Sequence, residues 1–383
     1  MLSPQAQELR ARVSLAEAEA KTRAVYPNPS VSYSREGAGY NEFVEASQTL
    51  PLNGRIRYLR EAGAALVSAA GANREATLWS LRSDLRQAFY RMVAAQERMR
   101  LLAAGVGEVE QLIGILRKRE QEGEGSRYDR MRAERETAEL RTDVVAATAL
   151  IAAARGRIGG FVPEGTQVQS VRGTLPVTVE PPSMEALRAL AMEARADYRA
   201  EQKLLARYQL EEQAARRLRV PDPQVSAGVK RADVLSGVGL NQFSNQTQTG
   251  LVFSLTVPLP LFNSGRYEVV RYQAEQEQSK ARAAVLARQI QSEVQGAREV
   301  LAIRREALAG YQQELESAGI ELTRITRVAY EEGEVGILEL LDSLRVNRQA
   351  SLRLLDLQAG VREAYLELER VVGAELNDGG IRP

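Results

Sequence analysis

The chain has 383 residues and a net charge of +1; 26% of its residues are charged, only 5% are aromatic, and it contains no cysteine or histidine. Those absences remove disulfides, thiolate nucleophiles, zinc sites of the usual ligands and the commonest general base, so most enzyme chemistries lose their usual players. The balanced charge lacks the basic stripe of a nucleic-acid binder, no run of about 18 apolar residues offers a transmembrane helix, and the polar start Met1-Leu-Ser-Pro-Gln-Ala-Gln-Glu8 is not a signal peptide.

A helix is predicted over about residues 4–25, running into Tyr26-Pro27-Asn28-Pro29. A β-hairpin follows over about 29–52: Val31 and Tyr33 alternate with Ser30, Ser32 and Ser34, Gly37-Ala38-Gly39 turns the chain, and residues 42–50 return. Leu50-Pro51-Leu52-Asn53-Gly54-Arg55 ends it, because proline cannot donate to a strand ladder and Asn-Gly supplies turn and N-cap chemistry.

A helical hairpin is expected over about 54–158. Leu78, Leu85, Met92, Met99, Val106 and Ile113 fall seven apart, as do Leu81, Ala88, Ala95, Leu102, Val109 and Leu116, the pattern of a coiled coil. Met92 and Met99 read as seam residues, not copper ligands. The helix turns at Glu122-Gly-Glu-Gly-Ser-Arg-Tyr-Asp129 and returns over 127–158; residues 160–182, without helical period, form a linker.

The same order then repeats, so the chain is an internal duplication with a first repeat over 1–182 and a second over 183–383. A helix capped by Ser183 precedes one over about 197–219, then Pro221-Asp-Pro223 answers Pro27-Asn-Pro29. The second hairpin, about 223–261, sets Val225, Ala227 and Val229 on one face, crosses a polar loop over 232–248, and returns through Leu251, Phe253, Leu255 and Val257. Strands of about 9–11 residues are expected throughout, a length that crosses a bilayer when tilted.

Leu259-Pro260-Leu261-Phe-Asn-Ser-Gly265-Arg266 matches the first junction, and a helical hairpin follows over about 265–375. Val294, Leu301, Leu308, Leu315 and Leu322 form one of its heptad rows; Ile290, Ala297, Tyr311, Ala318 and Ile325 form the other, interrupted by Arg304. Its turn is Glu332-Gly-Glu-Val-Gly-Ile-Leu-Glu339, and Leu354, Val361 and Leu368 mark the returning helix over 337–374. The first repeat has no partner for the helix after Ser183, from which a shortened N-terminus is expected.

Four strands cannot close a barrel, and an open edge in lipid leaves backbone groups unpaired. Strands in a membrane would therefore have to be pooled by several chains. The fold class expected is mainly α with a small β part.

Taken together, Tyr26-Pro-Asn-Pro-Ser-Val-Ser-Tyr33, Gln48-Thr-Leu-Pro-Leu-Asn-Gly-Arg55, Val257-Pro-Leu-Pro-Leu-Phe-Asn-Ser-Gly-Arg266, Tyr330-Glu-Glu-Gly333 with Leu338-Glu-Leu-Leu-Asp342, and the twofold duplication resemble the TolC family of outer-membrane efflux proteins. The short junctions look most like its heavy-metal-efflux branch. The resemblance implies a homotrimer with a twelve-stranded β-barrel in the outer membrane, continuous with a twelve-helix α-barrel in the periplasm. It further implies an exit duct for metal ions or small toxic compounds that works with a periplasmic adaptor (membrane fusion) protein and an inner-membrane transporter of the resistance-nodulation-division type, with no cofactor and no reaction of its own. The chain departs from the family pattern in lacking an export signal, the opening helix and an N-terminal cysteine for lipidation.

By the same resemblance, Gly123, Gly125, Ser126, Gly333, Val335, Gly336 and Ile337 are the adaptor-docking tips, against the plain reading that glycines end helices. Asp129, Glu339 and Asp342 are the tunnel gate, against that of a solvated helix face. Val31, Tyr33, Val225, Ala227, Leu251, Phe253, Leu255 and Val257 face lipid, with Tyr26, Tyr40, Phe243 and Phe262 near the interfaces, against a soluble β-sandwich that uses the same faces as core. A soluble coiled-coil scaffold and a type I protein-secretion duct are the alternatives; the scaffold leaves unexplained why proline-bounded hairpins interrupt the helices at matched places.

Overall fold

The structure, a computed structural model, describes residues 4–36, 41–163, 165–237 and 243–376, with side chains except at 4, 234–237, 243–246 and 314–323. The elements in order are α1 (Pro4–Arg23), β1 (Ser30–Glu36), β2 (Asn41–Thr49), α2 (Arg55–Gln121), α3 (Arg127–Gly159), α4 (Met184–Ala194), α5 (Ala196–Arg216), β3 (Gln224–Gly237), β4 (Phe243–Thr256), α6 (Arg266–Glu331) and α7 (Ile337–Val372). α2 and α6 are unbroken helices of 67 and 66 residues. The chain is thus mainly α with one small sheet.

Contacts divide it into two units, each drawing on both halves of the sequence: Glu8–Arg74 with Asp197–Leu286, and Met1–Gln7 with Glu75–Ala196 and Ala287–Pro383. The first unit contains the sheet, in the order β1-β2-β3-β4 with every pairing antiparallel. Its two hairpins are joined by a β2–β3 register running from Asn41↔Ala232 to Thr49↔Gln224, which leaves β1 and β4 as edges.

The strands have 7, 9, 14 and 14 residues, so the expected length of 9–11 holds for β2 alone. The polar loop expected over 232–248 is largely strand, since β3 runs to Gly237 and β4 begins at Phe243. There polar residues fall on both faces and the alternation that marks a strand is lost, while the backbone ladder continues and Thr247 donates to Asp233 at 2.7 Å.

In the same unit α1, α5 and the first parts of α2 and α6 pack with a polar seam. Glu211, almost fully buried, accepts from Arg23 and from Arg207, the latter at 2.8 Å. Glu212 accepts from Gln276 at 2.7 Å, Gln273 at 3.0 Å and Arg216 at 2.6 Å. Burial pushes its carboxyl up, but those donors outweigh it and hold the group below the ordinary carboxylate value. Gly63 lets α1 approach α2, since a Cβ there would lie 2.8 Å from that of Ala20.

In the second unit Ala88, Ala95, Leu102, Val109 and Leu116 are all buried. Met92 sits at the centre of a cluster with Ala88, Ala95, Ile151, Ala154 and Ile158, and Met99 packs at its margin, so both are seam residues. Ile290, Val294, Leu301, Val361 and Leu368 are buried too. Leu78 and Ile325 depart from the expected rows and stand exposed, because a heptad repeat specifies a face without supplying the element that covers it. Leu315, Ala318 and Leu322 lie outside the described side chains.

Arg304 is tolerated in its apolar row because its guanidinium donates to the Gly360 carbonyl at 2.6 Å, where the absent side chain leaves room. Several backbone groups of residues 165–182 are met by side chains. Gln96 exchanges two hydrogen bonds of 2.9 Å with Val171, and Arg362 donates to the carbonyls of Thr174, Leu175 and Pro176. Ser183 caps α4, accepting from the Ala186 N–H at 3.2 Å.

Candidate functional site

The sheet is a single layer. Its register aligns Val31 with Ala46, Ala227 and Phe253, and Tyr33 with Val44, Val229 and Leu251, while Val225 pairs with Leu255 and Gln48. All eight residues expected to face lipid therefore follow one apolar face, and all are exposed, as are Tyr26 and Phe262. Tyr40 and the side chain of Phe243 lie outside the described residues.

The opposite face is mostly polar, with Phe43 and Val252 as exceptions. Ser30, Ser47, Ser226 and Ser254 form one rung across all four strands, with Ser30 and Ser47 2.7 Å apart, and the Glu45 carboxylate accepts from Ser226. A β-sandwich would bury the apolar face; here it is open.

The two strand-to-helix junctions share a turn at proline, an asparagine that accepts from a backbone N–H and a left-handed glycine, with two more residues between proline and glycine in the second. Leu52 donates to the Leu50 carbonyl at 2.8 Å and Leu261 to that of Leu259 at 2.9 Å, three-residue turns centred on Pro51 and Pro260. The Asn53 side chain then accepts from the Arg55 N–H at 2.9 Å, and Asn263 from the Gly265 N–H at 3.2 Å. Gly54 and Gly265 follow at φ +75° and +76°, a region only glycine enters freely.

The two helical tips also match. α2 ends with the backbone N–H of Glu122 donating to the Lys118 carbonyl and that of Glu124 to the Arg119 carbonyl, and α6 with the N–H of Glu332 donating to the Val328 carbonyl and that of Glu334 to the Ala329 carbonyl. Gly123 and Gly333 turn the chain at φ +81° and +77°. Behind this shared backbone the fillings differ. Ser126 caps α3 by accepting from the Tyr128 N–H at 3.1 Å, whereas Gly336 starts α7 with no side-chain cap. Arg130 donates to Glu120 at 2.5 Å and to Glu134 at 2.8 Å; at the equivalent places of the second tip stand Leu340, Tyr330 and Leu344. Ile337 and Leu340 are buried in a cluster with Leu112, Ile113 and Leu116 of α2, and Val335 is half-buried.

The three expected gate residues have different surroundings. Asp342 lines a charged cleft of about 520 Å³ between α3 and α7 with Arg132, Arg135, Glu136, Glu139 and Arg345. Glu339 is exposed with its carboxylate beside Gly336, and half-buried Asp129 lies near the Tyr330 hydroxyl. Sequence reading missed a deeper pair: Arg348 donates to Glu136 at 3.0 Å, both largely shielded, with Gly105 of α2 leaving room for the arginine stem. Nothing local signals it, since its partners lie on helices far apart in sequence. Among the described residues no group of carboxylates could hold a metal ion, and no helix is long and apolar enough to cross a membrane.

No family model matches the chain. It is similar to the cobalt-zinc-cadmium resistance protein CzcC of Cupriavidus metallidurans, with 24% identity over 328 residues covering 81% of this chain and 73% of that protein. Among solved structures it is similar to CusC, with TM-score 0.73, 20% identity, and coverage of 97% of this chain and 89% of the other. The open state of the MtrE outer-membrane channel of Neisseria gonorrhoeae has TM-score 0.72, 19% identity and coverage of 97% and 86%. The outer-membrane protein VceC of Vibrio cholerae has TM-score 0.69, 15% identity and coverage of 98% and 94%. Open sheet, duplicated junctions and paired helical tips thus meet in one known architecture: the chain has the fold of the TolC-family outer-membrane channels.

Proposed function

We propose that this chain is the outer-membrane exit duct of a tripartite efflux pump. It passes metal ions or small toxic compounds outward from an inner-membrane transporter and a periplasmic adaptor, and performs no chemistry itself. The sheet carries this reading: one layer, two open edges, and an exposed apolar face running in register across all four strands. In water such a face and such edges invite aggregation. In lipid, unpaired edge groups cost several kcal/mol each, and pooling the strands of three copies into a closed barrel removes both problems. A soluble coiled-coil scaffold leaves the open apolar face without a role.

The helices support assembly from several copies. α3 leaves Met131, Ala138, Val145 and Ala152 exposed at heptad spacing, and α6 leaves Gly296, Val300, Ile303, Ala307 and Gly310. These are second seams suited to neighbouring helices. Within this reading Val31, Tyr33, Val225, Ala227, Leu251, Phe253, Leu255 and Val257 face lipid, the tips around Gly123 and Gly333 receive the adaptor, and Asp129, Glu339 and Asp342 ring the closed periplasmic mouth. The transporter is of the resistance-nodulation-division type, and the metals in the name of CzcC favour divalent cations as cargo over secreted proteins.

Flotation with outer-membrane vesicles, followed by conductance in planar bilayers, tests the proposal. The expected result is a lipid-associated trimer with stepwise conductance that rises when Glu339 and Asp342 are both changed to alanine. Recovery as a water-soluble monomer or dimer without conductance overturns the duct. Unchanged conductance in the double variant removes the gate alone.

A further inference from the structure

The apolar face of the sheet is bounded at one end by charge. Directly beyond Tyr33, Val44, Val229 and Leu251 comes a rung of Arg35, Glu42, Arg231 and Thr249 on the same face. From Leu251 the outward apolar row continues only to Val257, about 20 Å of extended chain and about 15 Å of membrane depth at the tilt of barrel strands. The apolar band of an outer-membrane barrel is about 25 Å tall, so the strands alone fall short by about 10 Å. With charges interrupting the apolar face at one end, the nearest continuation of it lies beyond Val257.

The two junctions lie there. Leu52 is 72% exposed, Leu259 70%, Leu261 76% and Phe262 98%, on loops whose turns are held by their own backbone hydrogen bonds. Four large apolar side chains are held out within two short loops, Leu52 and Leu261 at matched places, a higher density than the scattered single residues of ordinary surfaces. Within the next few residues come Arg55 on one junction, half-buried and 4.0 Å from Glu268, and Arg266 and Tyr267 on the other, both exposed. Apolar side chains followed by arginine and tyrosine is the order in which acyl chains give way to phosphates.

We infer that the two Leu-Pro-Leu junctions are phospholipid-binding wedges. Leu52, Leu259, Leu261 and Phe262 insert among the acyl chains of the inner leaflet and complete the apolar band, while Arg55, Arg266 and Tyr267 meet the phosphates. This rests on the membrane reading above and assigns the junctions a part in it beyond ending the strands.

The chain has no cysteine, so single cysteines carry a bimane label without background. Full-length Phe262→Cys and, as band reference, Phe253→Cys are reconstituted in phosphatidylcholine vesicles with or without bromine on the acyl chains; Leu259→Cys replaces Phe262→Cys if that variant does not fold. Both positions are expected to lose emission, position 262 most strongly with bromine near the headgroup and position 253 with bromine deeper. Loss at 253 with none at the junction means that solvent or a neighbouring copy covers it, which overturns the wedge and leaves the membrane reading standing. No loss at either position overturns the membrane reading, and the wedge with it.

Discussion

At the first helical tip, Gly123 takes the chain through the left-handed region, Ser126 caps the returning helix, and Arg130 ties Glu120 to Glu134. At the second, Gly333 makes the same turn, Gly336 brings no capping oxygen, and Tyr330, Leu340 and Leu344 occupy the places of the three charged residues. The backbone of such a turn depends on a few amide-to-carbonyl bonds and one positive φ. The space behind it is filled by ions in one copy and by a hydrophobic cluster in the other, so after duplication only the first requirement held both copies alike.

The strongest challenge to that comparison is to exchange fillings. Gly125 stands where the second tip has Val335, and a Cβ there would lie 2.8 Å from the Arg119 Cβ and 2.9 Å from the Glu120 backbone nitrogen. Gly125→Val is expected to cost about 1–3 kcal/mol by overpacking, read as lost amide-exchange protection from Arg119 to Arg130. Val335→Gly, which removes a half-buried side chain, should cost about 1 kcal/mol. If the two costs come out equal, the close approach at Gly125 is not what distinguishes the tips.

Next, Gly123→Ala and Gly333→Ala should each cost about 1–2 kcal/mol, because both force an L side chain into the left-handed region and neither meets a neighbouring atom. Exchange at the two tips should fall by the same amount; unequal losses would mean that the shared backbone is only apparent. Capping is expected to change sign between copies. Ser126→Ala loses about 1 kcal/mol, whereas Gly336→Ser gains a few tenths, since Gly336 already has the extended conformation of a capping residue. Opposite shifts in helix protection confirm this, and a loss in both removes it.

The smallest effect is that of pH. The hydrogen bond from Arg130 holds the Glu120 carboxyl below its ordinary value, with Arg117 and Arg127 adding attraction. A depressed folded value means that the stabilisation is complete above the unfolded value of about 4.3 and is lost as pH falls through the folded one. Exchange protection at the first tip should weaken in acid below about pH 4 and in high salt, while the second tip, filled by Tyr330, Leu340 and Leu344, stays unchanged. Parallel loss at both tips would show that the ion triad does not hold the first.

The exposed face of the sheet was legible because Val225, Ala227, Leu251 and Phe253 alternate with small polar residues. The outer ends of β3 and β4 were not, since polar and apolar residues mix on both faces, which erases the period, and only pairing reveals a strand. Of the charged residues near the tips, Asp342 could be singled out by its place on α7. Its surroundings of Arg132, Arg135 and Arg345, and the Arg348–Glu136 pair behind them, could not.

By itself the sequence determined the features that depend on one residue and its neighbours: where Pro51 and Pro260 stop a ladder, where Gly54, Gly123, Gly265 and Gly333 reverse the chain, and which helical faces are apolar. Only the tertiary structure decided that β2 pairs with β3 to join the two hairpins, that Leu78 and Ile325 stand uncovered, and that Glu136 meets Arg348. The physical reason is range. Missing donors, positive φ and side-chain period act within a few bonds, whereas the β2–β3 pairing and the Glu136–Arg348 pair join residues 175 to 212 positions apart in this chain.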